Sequence, residues 1–191
     1  ILEHKNIEEA TPFQKLVIPK IKSGANIFAV APNNSGKTTS IILTTLQKIK
    51  DYEERDNPRA VIFVKDQAAA IELEERFKEY SKHFNLTTYT VFEEKAEQIQ
   101  KDAIYEGVDI VIGTAKRLNK LYLMNGINLN DMATVIIEDA NELPRIDFAK
   151  DIVRISEAFP KCQYIVFSTD YDEKLKSLKE SFMWNAIKVE I

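Results

Sequence analysis

The segment Ala31-Pro32-Asn33-Asn34-Ser35-Gly36-Lys37-Thr38 lies between an apolar run, Ile27-Phe28-Ala29-Val30, and a helix-like run, Thr39-Ser40-Ile41-Ile42-Leu43. A strand that passes through Gly-Lys-Thr straight into a helix constrains the fold strongly. That context separates a phosphate-binding loop from a chance match. In such a loop, backbone N–H groups and the helix N-terminus surround phosphates. Lys37 would reach the β- and γ-phosphates, and Thr38 would face Mg2+. Ala31 stands where the general pattern has Gly, and Asn34 immediately precedes Ser35-Gly36. Asn tolerates the left-handed backbone region better than most residues, so the loop is expected to keep its shape.

The rest of the chain alternates Val/Ile-rich runs with segments of helical period. Strands are expected at 26–31, 60–64, 87–91, 108–112, 134–138, 163–167 and 187–190, and helices near 12–23, 38–51, 67–83, 94–105, 115–124, 147–158 and 171–182. This order predicts an α/β fold: a mostly parallel sheet of about seven strands with helices on both faces. The strands are continuously apolar, as they must be when both faces are covered. Thr11-Pro12 predicts a capped helix start, Ser23-Gly24 its end, and Asp51 to Pro58 a polar loop. Residues 1–191 are expected to form a single domain.

Composition narrows the chemistry. No apolar run approaches the length of a membrane span, and the N-terminus does not resemble a secretion signal. A cytoplasmic location is therefore expected, with a ribonucleoprotein granule as one setting. The chain opens on Ile1 and is expected to be a segment of a longer protein. One cysteine, Cys162, and two histidines, His4 and His83, argue against a transition-metal site. A net charge of −4 argues against non-specific nucleic-acid binding by the whole surface, but leaves room for a local basic groove.

Ligands of open α/β sheets bind at strand C-terminal ends. There the sequence places the loop at 31–38, Gly113-Thr114-Ala115-Lys116-Arg117, Glu138-Asp139-Ala140-Asn141 and Ser168-Thr169-Asp170. In this order the segments resemble the N-terminal RecA-like domain of a DEAD-box RNA helicase, over nearly the whole chain. Ala10-Thr11-Pro12-Phe13-Gln14 resembles the adenine-reading Q motif of that family, in which Gln14 would hydrogen-bond the base. The family's loop begins with Ala, as here. The resemblance implies ATP with Mg2+ as cofactor, held by Thr11, Gln14, Asn33, Asn34, Ser35, Gly36, Lys37, Thr38 and Thr39, with Thr38 and Glu138 toward the metal. It implies single-stranded RNA as a partner, gripped by its backbone at Thr114, Lys116 and Arg117, with Lys65 as a possible extra cation. A second RecA-like domain, absent from this chain, would supply arginine fingers and half of the RNA groove.

The departures from the family pattern fall on its chemistry. D-E-A-D reads Glu138-Asp139-Ala140-Asn141, S-A-T reads Ser168-Thr169-Asp170, P-T-R-E-L-A reads Lys65-Asp66-Gln67-Ala68-Ala69-Ala70, and the expected Gly-Gly turn reads Phe92-Glu93-Glu94-Lys95. In the family the first carboxylate orients hydrated Mg2+ and the second positions the attacking water. Here Glu138 and Asp139 have exchanged lengths. A displacement of about 1 Å at a reacting centre can cost on the order of 100-fold in rate, so binding is expected to survive better than hydrolysis. Asn141 is expected to donate to Asp170, coupling to Ser168 and Thr169, or alternatively the two changes are independent losses. Glu72 to Arg76 and Lys174 to Lys179 read as solvated helix faces.

Two functions follow as expectations. One is a nucleotide-dependent RNA-binding module with weak or absent ATPase. The other is a pseudo-helicase scaffold that binds proteins of a ribonucleoprotein or small-RNA pathway and neither hydrolyses ATP nor unwinds RNA. Divergent domains of this kind are similar to those of germline Tudor-domain proteins of piRNA pathways.

Overall fold

The computed structural model describes residues 9–50, 56–144 and 151–191. Seven parallel strands form one sheet: β1 (Ile27–Val30), β2 (Ala60–Val64), β3 (Thr88–Val91), β4 (Ile110–Thr114), β5 (Thr134–Ile137), β6 (Gln163–Ser168) and β7 (Ile187–Glu190). Their spatial order is β3-β4-β2-β5-β6-β1-β7. The helices are α1 (Pro12–Lys22), α2 (Lys37–Lys50), α3 (Gln67–Tyr80), α4 (Glu97–Tyr105), α5 (Ala115–Leu123), α6 (Val153–Ser156) and α7 (Glu173–Ser181).

Alternation of side chains across each strand feeds two cores. In β2, Ala60, Ile62 and Val64 join Phe13, Val17, Ile41, Leu46, Leu73 and Phe77 of α1–α3. Val61 and Phe63 point the other way, toward Ile104, Leu118, Leu121, Leu175 and Leu178 of α4, α5 and α7. Every β2 residue is therefore buried, and an apolar side chain at each position is what a doubly covered parallel strand requires.

Register aligns the C-terminal ends along one rim. Val30 is level with Ser168, Ile137 with Val166, and Val64 with Thr114. Strand β4 runs two residues further than its apolar run suggests, through Gly113 and Thr114. Gly113 is needed there because a Cβ would lie 2.3 Å from the Val91 carbonyl oxygen of β3.

Several helix boundaries differ from expectation. Helix α2 begins at Lys37, inside the phosphate loop itself. Helix α4 begins at Glu97 and not near 94, because Phe92–Lys95 is a turn pinned by Gln100. The Gln100 amide accepts from Phe92 N at 3.0 Å and donates to the carbonyls of Phe92 and Lys95. Of the helix expected over 147–158, Val153–Ser156 is α-helical, and residues 147–150 lie outside the described residues. Residues 51–55 of the expected polar loop do so as well.

Candidate functional site

The loop between β1 and α2 is bound from three sides. Ala31 N donates to Ser168 O at 3.0 Å, which fastens the loop to the end of β6. Thr11 Oγ1 donates to Ser35 O at 2.7 Å, and Gln14 Nε2 donates to Gly36 O at 3.3 Å. Thr11 and Gln14 also form a capping box at the start of α1: Gln14 N donates to Thr11 Oγ1, and Thr11 N to Gln14 Oε1. The helix cap and the loop clamp are one hydrogen-bonded unit. Gly36 fits it for two reasons. Its φ is +96°, and a Cβ there would lie 2.5 Å from Gln14 Nε2. Asn34 takes φ +62°, the left-handed conformation that Asn accepts with little strain.

Lys37 is buried, and its ammonium donates to Ala31 O at 3.1 Å and Asn33 Oδ1 at 3.4 Å. It lies 3.2 Å from Asp139 Oδ1 as an ion pair, without hydrogen-bond alignment. Thr38 Oγ1 donates to Glu138 Oε1 at 3.4 Å, bridging the loop to the end of β5. Thr39 follows on the first turn of α2, partly buried. Among the described residues, Ser35 Oγ and Asp139 Oδ1 are buried polar atoms with no hydrogen-bond partner. Ser35 belongs to the same loop as Lys37 and Thr38, and Asp139 is the ion-pair partner of Lys37, so an anion and a hard cation bound there would supply the missing contacts. Hydroxyl and carboxylate oxygens at Thr38 and Glu138 suit Mg2+, which keeps most of its waters and takes few protein ligands.

The two carboxylates are not equivalent. Burial, and then the charge of Asp139, push the Glu138 carboxyl up to about 7, against a smaller opposing effect of the Thr38 hydroxyl. Asp139 has φ +42°, a left-handed backbone at a residue that leads into the 3-10 turn Ala140–Glu142. The exchanged side-chain lengths are therefore built on a backbone that is itself bent at Asp139.

The expected donation from Asn141 to Asp170 is not what the structure contains. Asn141 Oδ1 accepts, from Ser168 Oγ at 2.9 Å and Thr169 N at 3.1 Å. Asp170 Oδ2 accepts from Thr169 Oγ1 at 3.1 Å, and Asp170 O from Ser168 Oγ at 2.7 Å. An amide oxygen presents the same acceptor face as a carboxylate oxygen, so the link from 138–141 to 168–170 survives without a negative charge. Lys174, expected on a solvated face, instead donates to the carbonyls of Asn141 at 2.7 Å and Leu143 at 2.8 Å. It ties α7 to the turn after Asp139 across 33 and 31 residues of sequence, a contact that only the fold reveals.

On the same rim, a cavity of about 320 Å³ lies where β2 and β4 end, lined by Lys65, Asp66, Glu93, Glu94, Thr114 and Lys116 among others. Lys116 is exposed, and Lys65 is paired with Glu142, whose hydrogen bond holds the ammonium above its ordinary range. Thr114 Oγ1 donates to Glu93 Oε2 at 2.7 Å. Arg117 does not present a free guanidinium. It is buried, donates from Nε to Phe92 O at 3.0 Å and from one amino group to Glu93 O at 2.8 Å, and pairs with Glu97 at 3.0 Å. Its observed work is to hold the turn that replaces Gly-Gly. Cys162 is a half-buried free thiol, pushed up to about 11 by burial, as suits a structural cysteine.

This rim is that of a nucleotide-binding helicase domain, and comparison with known proteins agrees. The model of the DEAD/DEAH box helicase family matches residues 11–178, and the chain belongs to that family. It is 26% identical over 191 residues to the probable ATP-dependent RNA helicase ddx42 of Dictyostelium discoideum, covering 98% of this chain and 19% of that protein. It is 27% identical to the ATP-dependent RNA helicase RhlB of Shewanella oneidensis, covering 100% of this chain and 45% of that one. The chain thus spans less than half of these relatives. Its fold matches a structure of Saccharomyces cerevisiae Dbp5 bound to Nup159, Gle1, IP6 and ADP, with a TM-score of 0.88 at 17% identity over all of this chain and 50% of the other. A hypothetical ATP-dependent RNA helicase from Sulfolobus tokodaii matches with a TM-score of 0.86 at 19% identity, over all of this chain and 55% of the other.

Proposed function

We propose that this domain binds Mg-ATP and Mg-ADP, turns ATP over weakly or not at all, and contributes one half of an RNA-binding groove in a longer DEAD-box-like protein. The observation that carries the nucleotide half is Lys37. It is a buried cation held by two oxygen acceptors and one ion pair, in a loop whose Ser35 Oγ has no hydrogen-bond partner. The resemblance implies that Gln14 reads the base. Its hydrogen bond to Gly36 O joins that reading to the phosphate loop. When bound, Mg2+ would screen phosphate charge; Thr38 and Glu138 would hold its waters, and Asp139 would orient the attacking one. Asp139, one methylene shorter than the family's residue and on a left-handed backbone, supports slow turnover.

Calorimetric titration of Mg-ADP and Mg-ATP into the domain, beside Lys37→Ala, tests this. Micromolar binding lost in the variant is expected. Absence of heat with either nucleotide would leave the scaffold reading, which the inward-turned Arg117 and the Glu93 carboxylate at Thr114 favour.

A further inference from the structure

Among the described residues, the groove at the ends of β2 and β4 carries an acidic side chain at the one lining hydroxyl it offers a phosphate. Thr114 has two roles. Its hydroxyl oxygen accepts from Arg117 N at 3.4 Å as the cap of α5, and its proton goes to Glu93 Oε2 at 2.7 Å. A phosphate oxygen approaching Thr114 needs that same proton, so it competes directly with the Glu93 carboxylate. Two of the nearby cations are already engaged. Arg117 donates to the carbonyls of Phe92, Glu93 and Lys95 and pairs with Glu97, and Lys65 is paired with Glu142. Glu94 and Asp66 line the same cavity, which leaves exposed Lys116 as the main counterweight among the described lining residues.

We infer that Glu93 is a specificity-determining residue of this groove: its carboxylate occupies the place of an RNA phosphate on Thr114 and sets how weakly the domain holds RNA. The inference rests on the RNA half of the proposed function. The turn that carries Glu93 is fixed by Gln100 and Arg117, so the carboxylate is delivered by rigid backbone. Glu93 itself is exposed, so the side chain can swing aside. RNA binding then requires breaking the Thr114 hydrogen bond and tolerating a like charge at contact distance.

The test is fluorescence-anisotropy titration of a single-stranded oligouridine onto the domain, with Mg-ADP present, for wild type, Glu93→Gln, Glu93→Ala and Lys116→Ala in each background. Glu93→Gln keeps the acceptor on Thr114 and removes only the charge. It should tighten RNA binding about 10-fold at low salt, the scale of one unit charge near 4 Å in a partly screened site. The gain should shrink as salt rises and vanish with Lys116→Ala. Equal affinity of wild type and Glu93→Gln, with Lys116→Ala weakening both, would overturn the inference and keep the groove as the RNA site. No RNA binding by any variant would overturn both the inference and the RNA half of the function, while the nucleotide titration stands apart. A basic peptide such as oligoarginine that binds wild type more tightly than Glu93→Gln, with RNA affinity unmoved, would overturn the inference in favour of a protein-docking acidic groove.

Discussion

The nucleotide loop and the groove beside it sit on one rim of one sheet, yet they differ in what already occupies their hydroxyl groups. In the loop, Lys37 is buried against carbonyl and amide oxygens, and its one carboxylate contact lacks hydrogen-bond alignment. Polar atoms around it, Ser35 Oγ and Asp139 Oδ1, have no hydrogen-bond partner. In the groove, Arg117 donates to three carbonyls while its Nη1 lies against Glu97 without hydrogen-bond alignment, Lys65 is paired with Glu142, and the Thr114 hydroxyl donates to Glu93. In the loop an unmet hydroxyl and carboxylate oxygen flank the motif that carries a buried ammonium. In the groove the Thr114 hydroxyl must first be released from a carboxylate. The scaffold is common to both, and the difference lies in a few acidic side chains on neighbouring turns.

The largest expected effect is on the loop. Lys37→Ala should weaken Mg-ADP binding by about 100-fold, the scale of losing charge-assisted hydrogen bonds in a desolvated site. Calorimetry checks it, and a loss below tenfold would put Lys37 outside the phosphate contact. The next concerns Glu138. Its carboxyl titrates near 7 in the folded state, above the ordinary 4.5, so the native domain binds the extra proton. Stability from this group is fully present below about pH 4.5 and is lost as pH rises through 7. The loss approaches about 3 kcal/mol at most, from the size of the shift. Urea melts of the metal-free domain between pH 5 and pH 8 should show this slope in wild type and not in Glu138→Gln. Parallel curves would count against it.

Two smaller effects sharpen the clamp and the coupling. Gly36→Ala must accept φ +96° and a contact with Gln14 Nε2, and should cost about 2 kcal/mol. Thermal melts would show it, and an unchanged Tm would mean that Gln14 moves aside freely. Asn141→Asp keeps the acceptor for Ser168 and Thr169, so stability should change by less than about 0.5 kcal/mol, whereas Asn141→Ala, which strands Thr169 N while Ser168 Oγ keeps Asp170 O, should cost about 1 kcal/mol. If Asn141→Asp proved the worse of the two, the hydrogen-bond direction assigned here would be wrong.

Much of this was legible in the sequence, for physical reasons that differ by residue. The strands could be read because doubly covered positions such as those of β2 tolerate little but apolar side chains. The left-handed turn at Asn34 was legible from Asn itself. Contacts that join distant turns were not. Glu93 and Thr114 are separated by 21 residues, and no local pattern says that an acidic residue in a turn will meet that hydroxyl. Lys174 looked like any lysine on a polar helix face, yet two carbonyls of the 141–143 turn receive it. Asn141 does meet Ser168 and Thr169, but whether an amide donates or accepts is decided by its neighbours. Arg117 carried the right motif, and only the fold shows its guanidinium turned inward to the 92–95 turn.

Hydrogen exchange of the wild-type domain, measured peptide by peptide with saturating Mg-ADP and separately with single-stranded oligouridine, tests the contrast most directly. Slower exchange across 34–39 with Mg-ADP, and unchanged exchange across 92–96 with oligouridine, is the predicted result. Protection of 92–96 by RNA, with no response of 34–39 to Mg-ADP, would contradict it.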